Sequence, residues 1–417
     1  MTLAVLLVVL VGLVRDWLGP DVLLTGGVTV LTIVGVLAPS EAFSGFANSG
    51  VLAIAGLFVV ARAVENSGAL DRLTQWVLES DPRKPPRESV ATLRVMLATA
   101  SLSSVLNNTP VVAMLAPAVR RWAIARGLSP KRLLIPVSYA AMIGGMCTIV
   151  GTSTNLVVAG MMEDAGLGTF GVFELAQLGL PIAVGGMLFM TLFGSRLLPG
   201  TLESPSITPA PAPAPTRPAP ANLLCQPAPV LVVVGLMIAV PACTPVPLVV
   251  SVFGAATLLL LGKAISPRQA RTSLDLEVLV TIAMAFGMGT AMTKSGLAAA
   301  VGQLILAPAG ELGPLAVVAA IFIVTSLFTE MITNNAAAVL MFPIVTTVAA
   351  DLGVDPRRML IVVAVAASCS FATPIGYQTN MIVAKLGDYR FVDFLRVGVG
   401  MNITALLVTL LVAHLCW

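Results

Sequence analysis

The sequence predicts an all-α polytopic membrane protein built as two inverted repeats, each of five transmembrane helices plus one re-entrant hairpin. Three observations predict it: a composition too apolar for water, apolar runs of membrane-crossing length, and polar motifs that recur in the same order in the second half. Only 10% of the 417 residues are charged, and 36 glycines add to a 57% share of AVILMFWYC residues. Soluble domains are roughly 45–50% apolar. With a mean hydropathy of +0.98, the chain's main solvent is lipid.

Composition also removes several function classes. The 23 Lys and Arg against 20 Asp and Glu leave a formal charge of +3 with no basic, aromatic-interleaved stripe, so no nucleic acid is expected as a partner. The five cysteines, Cys147, Cys225, Cys243, Cys369 and Cys416, contain no CxxC pair and read as small apolar residues. His414 is the only histidine, and the aspartates fall in loops or at span ends, which argues against intramembrane hydrolysis. No organic cofactor is expected. The opening run MTLAVLLVVLVGLV lacks a basic n-region and an A-x-A-like site, so it reads as a first span that is kept.

A helix needs about 20 mostly apolar residues to cross the ~30 Å hydrocarbon core. Candidates of that kind lie near 3–18, 21–38, 50–66, 131–163, 178–198, 229–245, 246–263, 277–294, 358–387 and 396–415. Two more apolar stretches, 90–126 and 314–350, are interrupted at mid-depth by Asn-Asn pairs and suit re-entrant hairpins. Threading the spans puts 20 of the 23 basic residues on one side, with Lys294, Arg357 and Arg358 opposite. Because cytoplasmic loops carry the basic excess, both termini are expected outside. The absence of a eukaryotic targeting segment points to the bacterial inner membrane. GALDRLTQWVLES, 68–80, gathers Leu70, Leu73, Trp76 and Val77 on one face and reads as an interfacial helix. The Pro/Ala-rich stretch 201–228 reads as an extended cytoplasmic linker between a first repeat, 1–200, and a second, 229–417.

The halves match across that linker. Glu65-Asn66-Ser67-Gly68 meets Thr293-Lys294-Ser295-Gly296 at an offset of 228, and Asn107-Asn108 meets Asn334-Asn335 at 227. Gly127-x-Ser129-Pro130-Lys131-Arg132 meets Gly353-x-Asp355-Pro356-Arg357-Arg358 at 226, and Gly151-x-x-Thr154-Asn155 meets Gly376-x-x-Thr379-Asn380 at 225. Five spans per copy is an odd number, so the second copy enters the membrane inverted, as in secondary transporters.

Four polar clusters carry the chemistry: 103–110 and 330–335 at the hairpin tips, 148–155 and 373–380 where Gly and Pro break the long spans 131–163 and 358–387. Asparagine offers an acceptor oxygen and two donors, so a tip can face either a cation or an anion. Broken helices expose carbonyls to cations and half-helix N-termini to anions. The same residues could instead serve as helix–helix glue or satisfied kinks. No Lys or Arg lies in the clusters, so a bound anion would be held by amides, hydroxyls, dipoles and co-bound cations. Glu330 is the one acid among them, read as a Na⁺ ligand, a proton carrier or a structural carboxyl.

On the signatures NNTP, GTSTN, TNN and ATPIGYQTN, the chain resembles the divalent anion:sodium symporter family of the ion transporter superfamily, in particular its sulfate-permease-like branch. The resemblance covers nearly the whole chain. It implies two Na⁺ sites flanking one substrate, the first from Ser103, Asn107, Asn108 and the Gly151 region. The second would use Thr333, Asn334, Asn335 and carbonyls near Gly376, with Glu330 as a further candidate ligand. Substrate contacts would come from Asn108, Thr109, Thr152, Ser153, Asn335, Gln378 and Thr379. Two features depart from the family pattern: Ala336 stands where the second tip's threonine would be, and the Pro/Ala linker replaces cytoplasmic regulatory domains. The resemblance also implies an elevator-type transporter, a homodimer whose scaffold is spans 3–38 and 229–263. The expected activity is Na⁺-coupled symport of sulfate or a similar small divalent oxyanion. Dicarboxylate symport, or cation/proton exchange or arsenite-type permeation through Glu330, are the alternatives.

Overall fold

Lipid cannot hydrogen-bond a bare backbone, so a chain this apolar must satisfy its own peptide groups, and the structure does so with helices. This computed structural model describes residues 1–15, 17–69, 87–200, 226–305 and 307–417, and no strand occurs among them. The expected interfacial helix and most of the linker lie outside the described residues.

Among the described residues, each half supplies eight helices of ten residues or more. The first half holds α1 Thr2–Val14, α2 Pro20–Ile33, α3 Ser49–Ser67, α4 Glu88–Ser103, α5 Asn108–Ala125, α6 Lys131–Gly145, α7 Ser153–Asp164 and α8 Ala176–Leu197. The second holds α9 Pro227–Cys243, α10 Leu248–Leu261, α11 Leu276–Lys294, α12 Pro314–Met331, α13 Asn334–Leu352, α14 Pro356–Ala367, α15 Gln378–Gly387 and α16 Phe391–Cys416. The runs 131–163 and 358–387 are therefore two helices each, parted at 146–152 and 368–377.

The repeated G-x-S/D-P motif has a local cause. Gly127 and Gly353 both sit at φ +66 just beyond α5 and α13, a left-handed turn that favours glycine. The prolines that follow open α6 and α14, where a missing N–H costs nothing.

Among the described residues, six helices, α3, α8, α11, α12, α13 and α16, are long and apolar enough to cross a membrane. α2, at 14 residues, would rise only about 21 Å and is shorter than the expected 21–38. Both arms of the second hairpin meet the crossing length, so length does not separate a hairpin from two crossings. The chain turns between them at residues 332–333, with Ile332 and Asn334 both buried.

The core is formed by the broken helices. α6 is buried at every position from Leu133 to Gly145, and α14 from Met359 to Ala367, the pattern of helices surrounded by protein. α8 and α16 pack together and turn leucine-rich stripes outward, Leu180, Val184, Leu188 and Leu192 on one, Ile403, Leu407, Leu411 and Leu415 on the other. Such faces suit lipid. The halves interlock: arm α5 packs on α15 of the second half, and arm α13 on α7 of the first. α2 packs on α11 and α10 on α3, which ties the outer helix pairs to the opposite halves.

Candidate functional site

Each break is held open by one asparagine. Asn155 Nδ2 donates to Gly145 O (3.1 Å) and Thr148 O (2.8 Å), and Asn380 Nδ2 donates to Ser370 O (2.8 Å) and Thr373 O (3.0 Å). These are carbonyls the interrupted ladder leaves free, and leaving them unpaired would cost about 1–3 kcal/mol each. Each break is also pinned to a hairpin tip. Thr148 Oγ1 donates to Ser104 O (2.5 Å) and accepts from Gly151 N, while Thr373 Oγ1 donates to Glu330 O (3.2 Å) and accepts from Gly376 N.

These bonds correct the tip register. Ser103 Oγ bonds the Asn108 amide at 2.6 Å, and Thr329 Oγ1 bonds Asn334 Oδ1 at 2.7 Å, so the tips correspond at an offset of 226, one less than the Asn-Asn pairs suggest. Asn107 and Thr333 are the matching N-caps, and Asn335 matches Thr109. Asn335, rather than Ala336, therefore stands where the second tip's threonine would be, and Glu330 matches Ser104 rather than Ser103.

Two oxygen clusters result. In the first, the Asn108 amide satisfies its neighbours better with Nδ2 inward than with Oδ1 inward. With Oδ1 inward it accepts from Ser103 Oγ, and Nδ2 donates to the Tyr377 hydroxyl at 3.0 Å. With Nδ2 inward it donates to Ser103 Oγ (2.6 Å), Ala141 O (3.0 Å) and Gly151 O (3.2 Å), while Oδ1 accepts from Tyr377. The Tyr377 hydroxyl serves both because it can donate or accept. In the second cluster, Thr329 Oγ1 lies 2.7 Å from Asn334 Oδ1 and 2.6 Å from Ala367 O, the counterpart of Ala141. Hydroxyl and carbonyl oxygens at both points, joined by Asn334 Oδ1 at the second, are of the kind that suits a hard cation. Among the described residues, no three His, Cys, Asp or Glu come together to offer a softer set.

Between the clusters, four helix N-termini converge. α5 and α15 meet where Thr109 Oγ1 donates to Gln378 Oε1 (3.0 Å), and α7 and α13 meet where Ser153 Oγ (3.2 Å) and Thr154 Oγ1 (3.1 Å) donate to Asn335 Oδ1. Thr152 is buried, with its hydroxyl beside that of Tyr377. Asn107 and Ser153 also line a cleft walled by Ile54, Phe58, Leu106 and Leu156.

Two expected site residues stand apart. Thr379 is fully buried against α6, its hydroxyl 2.8 Å from Ser138 Oγ, so it faces the core rather than the tips. Glu330 turns its carboxylate to Ala372 N (2.7 Å) and Asn402 Nδ2 (2.9 Å), not to Asn334 or Asn335. Sequence reasoning missed Thr329, Tyr377, Asn402 and the paired role of Asn155 and Asn380. Thr329 lies 226 residues after Ser103, a signal visible only in the correct register.

A helical membrane fold with paired polar tips and paired helix breaks is an architecture suited to carrying a solute across the bilayer. The chain matches the family model described as citrate transporter (CitMHS) over residues 6–356 and 336–417, and it belongs to that family. Its fold is similar to the Alcanivorax borkumensis YdaH transporter, with a TM-score of 0.64 at 15% identity, covering 93% of this chain and 88% of that one. It is 36% identical to sodium/sulfate cotransporter 1 of Chlamydomonas reinhardtii over 44% of this chain and 22% of that protein. It is 23% identical to the sodium-dependent dicarboxylate transporter SdcS of Staphylococcus saprophyticus over 92% of this chain and 80% of that one. The chain is thus a multi-pass membrane protein and a secondary transporter.

Proposed function

We propose that this protein is a Na⁺-coupled symporter of sulfate or a similarly small divalent oxyanion. The observation that carries the reading is the convergence of four helix N-termini, at Asn108, Ser153, Asn334 and Gln378, in a region without Lys or Arg. Helix N-termini present unpaired N–H groups and a partial positive charge, which is what a dianion needs. Thr109, Thr152, Ser153, Asn335 and Gln378 surround that point. Two Na⁺ ions, one at Ser103, Asn108 and Gly151 and one at Thr329, Asn334 and Ala367, neutralise the anion and couple its movement to the sodium gradient. The two halves act as inverted copies, with hairpins and broken helices travelling as one body against α1, α2, α9 and α10 in a homodimer. The basic loops face the cytoplasm and both termini face outside, in a bacterial inner membrane.

A dicarboxylate is the second reading, favoured by the apolar wall of Ile54, Phe58, Leu106 and Leu156 beside Asn107 and Ser153, which suits a carbon chain. The test is uptake of radiolabelled sulfate into proteoliposomes with and without an inward Na⁺ gradient. Na⁺-dependent accumulation that disappears in Asn108→Ala and Asn335→Ala is expected. Accumulation of succinate but not sulfate moves the substrate to dicarboxylates. No Na⁺-driven anion flux of either kind sinks the symporter.

A further inference from the structure

Glu330 is the one acid in the four polar clusters, and the two oxygen clusters make no use of its side chain. We propose that Glu330 and Asn402 form a separate cation site that takes one further Na⁺; the choice of Na⁺ rests on the symporter reading above. Glu330 ends α12 and Asn402 lies within α16, and the two side chains meet through Asn402 Nδ2 donating to Glu330 Oε1 at 2.9 Å. Oε1 also accepts from Ala372 N at 2.7 Å. The opposite ends of both groups have no such partners: Glu330 Oε2 and Asn402 Oδ1 are each buried and receive no hydrogen bond. Among the described ion pairs, none includes Glu330.

A carboxylate at this depth is costly unless something positive compensates it. Two donor-free oxygens on side chains already in contact, one of them charged, form a ligand set for a hard monovalent cation. The site occurs once, because Ser104 holds the matching place in the first half. It is therefore not a third copy of the tip clusters but an addition to one side. Two Na⁺ with a dianion make a neutral cargo. One more Na⁺ gives each turnover a net positive charge, so transport responds to membrane potential.

The experiment counts radioactive Na⁺ bound to the purified protein in the absence of any anion. Glu330→Gln keeps the shape and the acceptor for Ala372, and Asn402→Ala serves as the second variant, with thermal melts reporting that both are folded. Each variant is expected to bind one Na⁺ fewer than the parent, and sulfate uptake by Glu330→Gln is expected to lose its response to an inside-negative potential. Equal counts in the parent and both variants overturn the site while leaving the symporter intact. Replacement of the Na⁺ effect by acidification alone overturns it in favour of a proton. A parent that binds no Na⁺ at all overturns both readings together.

Discussion

The two halves are copies in their scaffolding and strangers at their centre. Asn155 and Asn380 each brace two break carbonyls, Thr148 and Thr373 each tie a break to a tip, and Ser103 and Thr329 each bond a tip asparagine. What faces inward differs: Tyr377 stands where Thr152 does, and Glu330 where Ser104 does. Asn380 Oδ1 accepts from Ser138 Oγ at 2.7 Å, whereas Asn155 Oδ1 is buried without a partner. The hydrogen bonds that brace the two breaks and tie them to the tips are thus shared by the halves, while the side chains at the centre differ.

The sharpest break in the comparison is at the two break glycines. A Cβ on Gly151 would lie 2.6 Å from Gly145 O and 2.9 Å from Ser103 O, both backbone atoms that cannot move aside. At Gly376 the nearest atoms are the Ser370 and Thr373 hydroxyls, at 2.0 and 2.8 Å, side-chain atoms that can turn away only by giving up their bonds to Thr329 O and Glu330 O. Gly151→Ala should therefore abolish uptake, and Gly376→Ala should only reduce it; equal losses would show that the breaks are equally tight. Next come the braces. Asn155→Leu and Asn380→Leu each strand two carbonyls, at about 1–3 kcal/mol apiece, and the second also removes the Ser138 Oγ bond to Asn380 Oδ1, leaving that hydroxyl only Thr379 Oγ1. Thermal unfolding in detergent should rank Asn380→Leu as the more damaging.

A smaller effect is expected where Arg357 clamps the loop after α7. Arg357 donates to Glu174 at 2.5 and 2.6 Å and to Leu167 O and Thr169 O, while Lys131, its counterpart, reaches Asp388 O. Burial pushes the Glu174 carboxyl up, but the Arg357 hydrogen bonds, the Gly171 N–H and the Arg357 charge together outweigh it and hold the group below the ordinary carboxylate range. A lowered pKa gives stability that is present above the unfolded value of about 4.3 and lost as pH falls through the folded one. Arg357→Met should remove roughly 0.5–1 kcal/mol at neutral pH, this partly exposed pair being screened, and flatten the loss of melting temperature below about pH 4. The smallest change is a gain. Ala364 matches Ser138 at the 226 offset, so Ala364→Ser should give Asn155 Oδ1 its donor and add about 1 kcal/mol to stability; an unchanged melting point would mean the hydroxyl does not reach.

Much of the fold was legible because lipid imposes long apolar runs and every interruption of them stands out. The breaks at Gly151 and Gly376 and the tips at Asn108 and Asn334 were visible as polar islands. The register was not, because Asn107-Asn108 and Asn334-Asn335 match as letters while the backbone pairs Asn107 with Thr333, a match of capping role rather than identity. Glu330 was read as part of the second tip because it is near in sequence. Its partner Asn402 is 72 residues away on the last helix, and a lone Asn in an apolar run carries no periodic signal. Tyr377 was overlooked for the same reason, since its reach to Asn108 spans 269 residues.

The interlocking of α5 with α15 and of α13 with α7 means that neither half is a receptor by itself. Each contributes the tip of one meeting point and the broken helix of the other, so the proposed transport requires both halves together. A chain severed within 201–228 would accordingly yield two fragments that are inert apart and competent when expressed together.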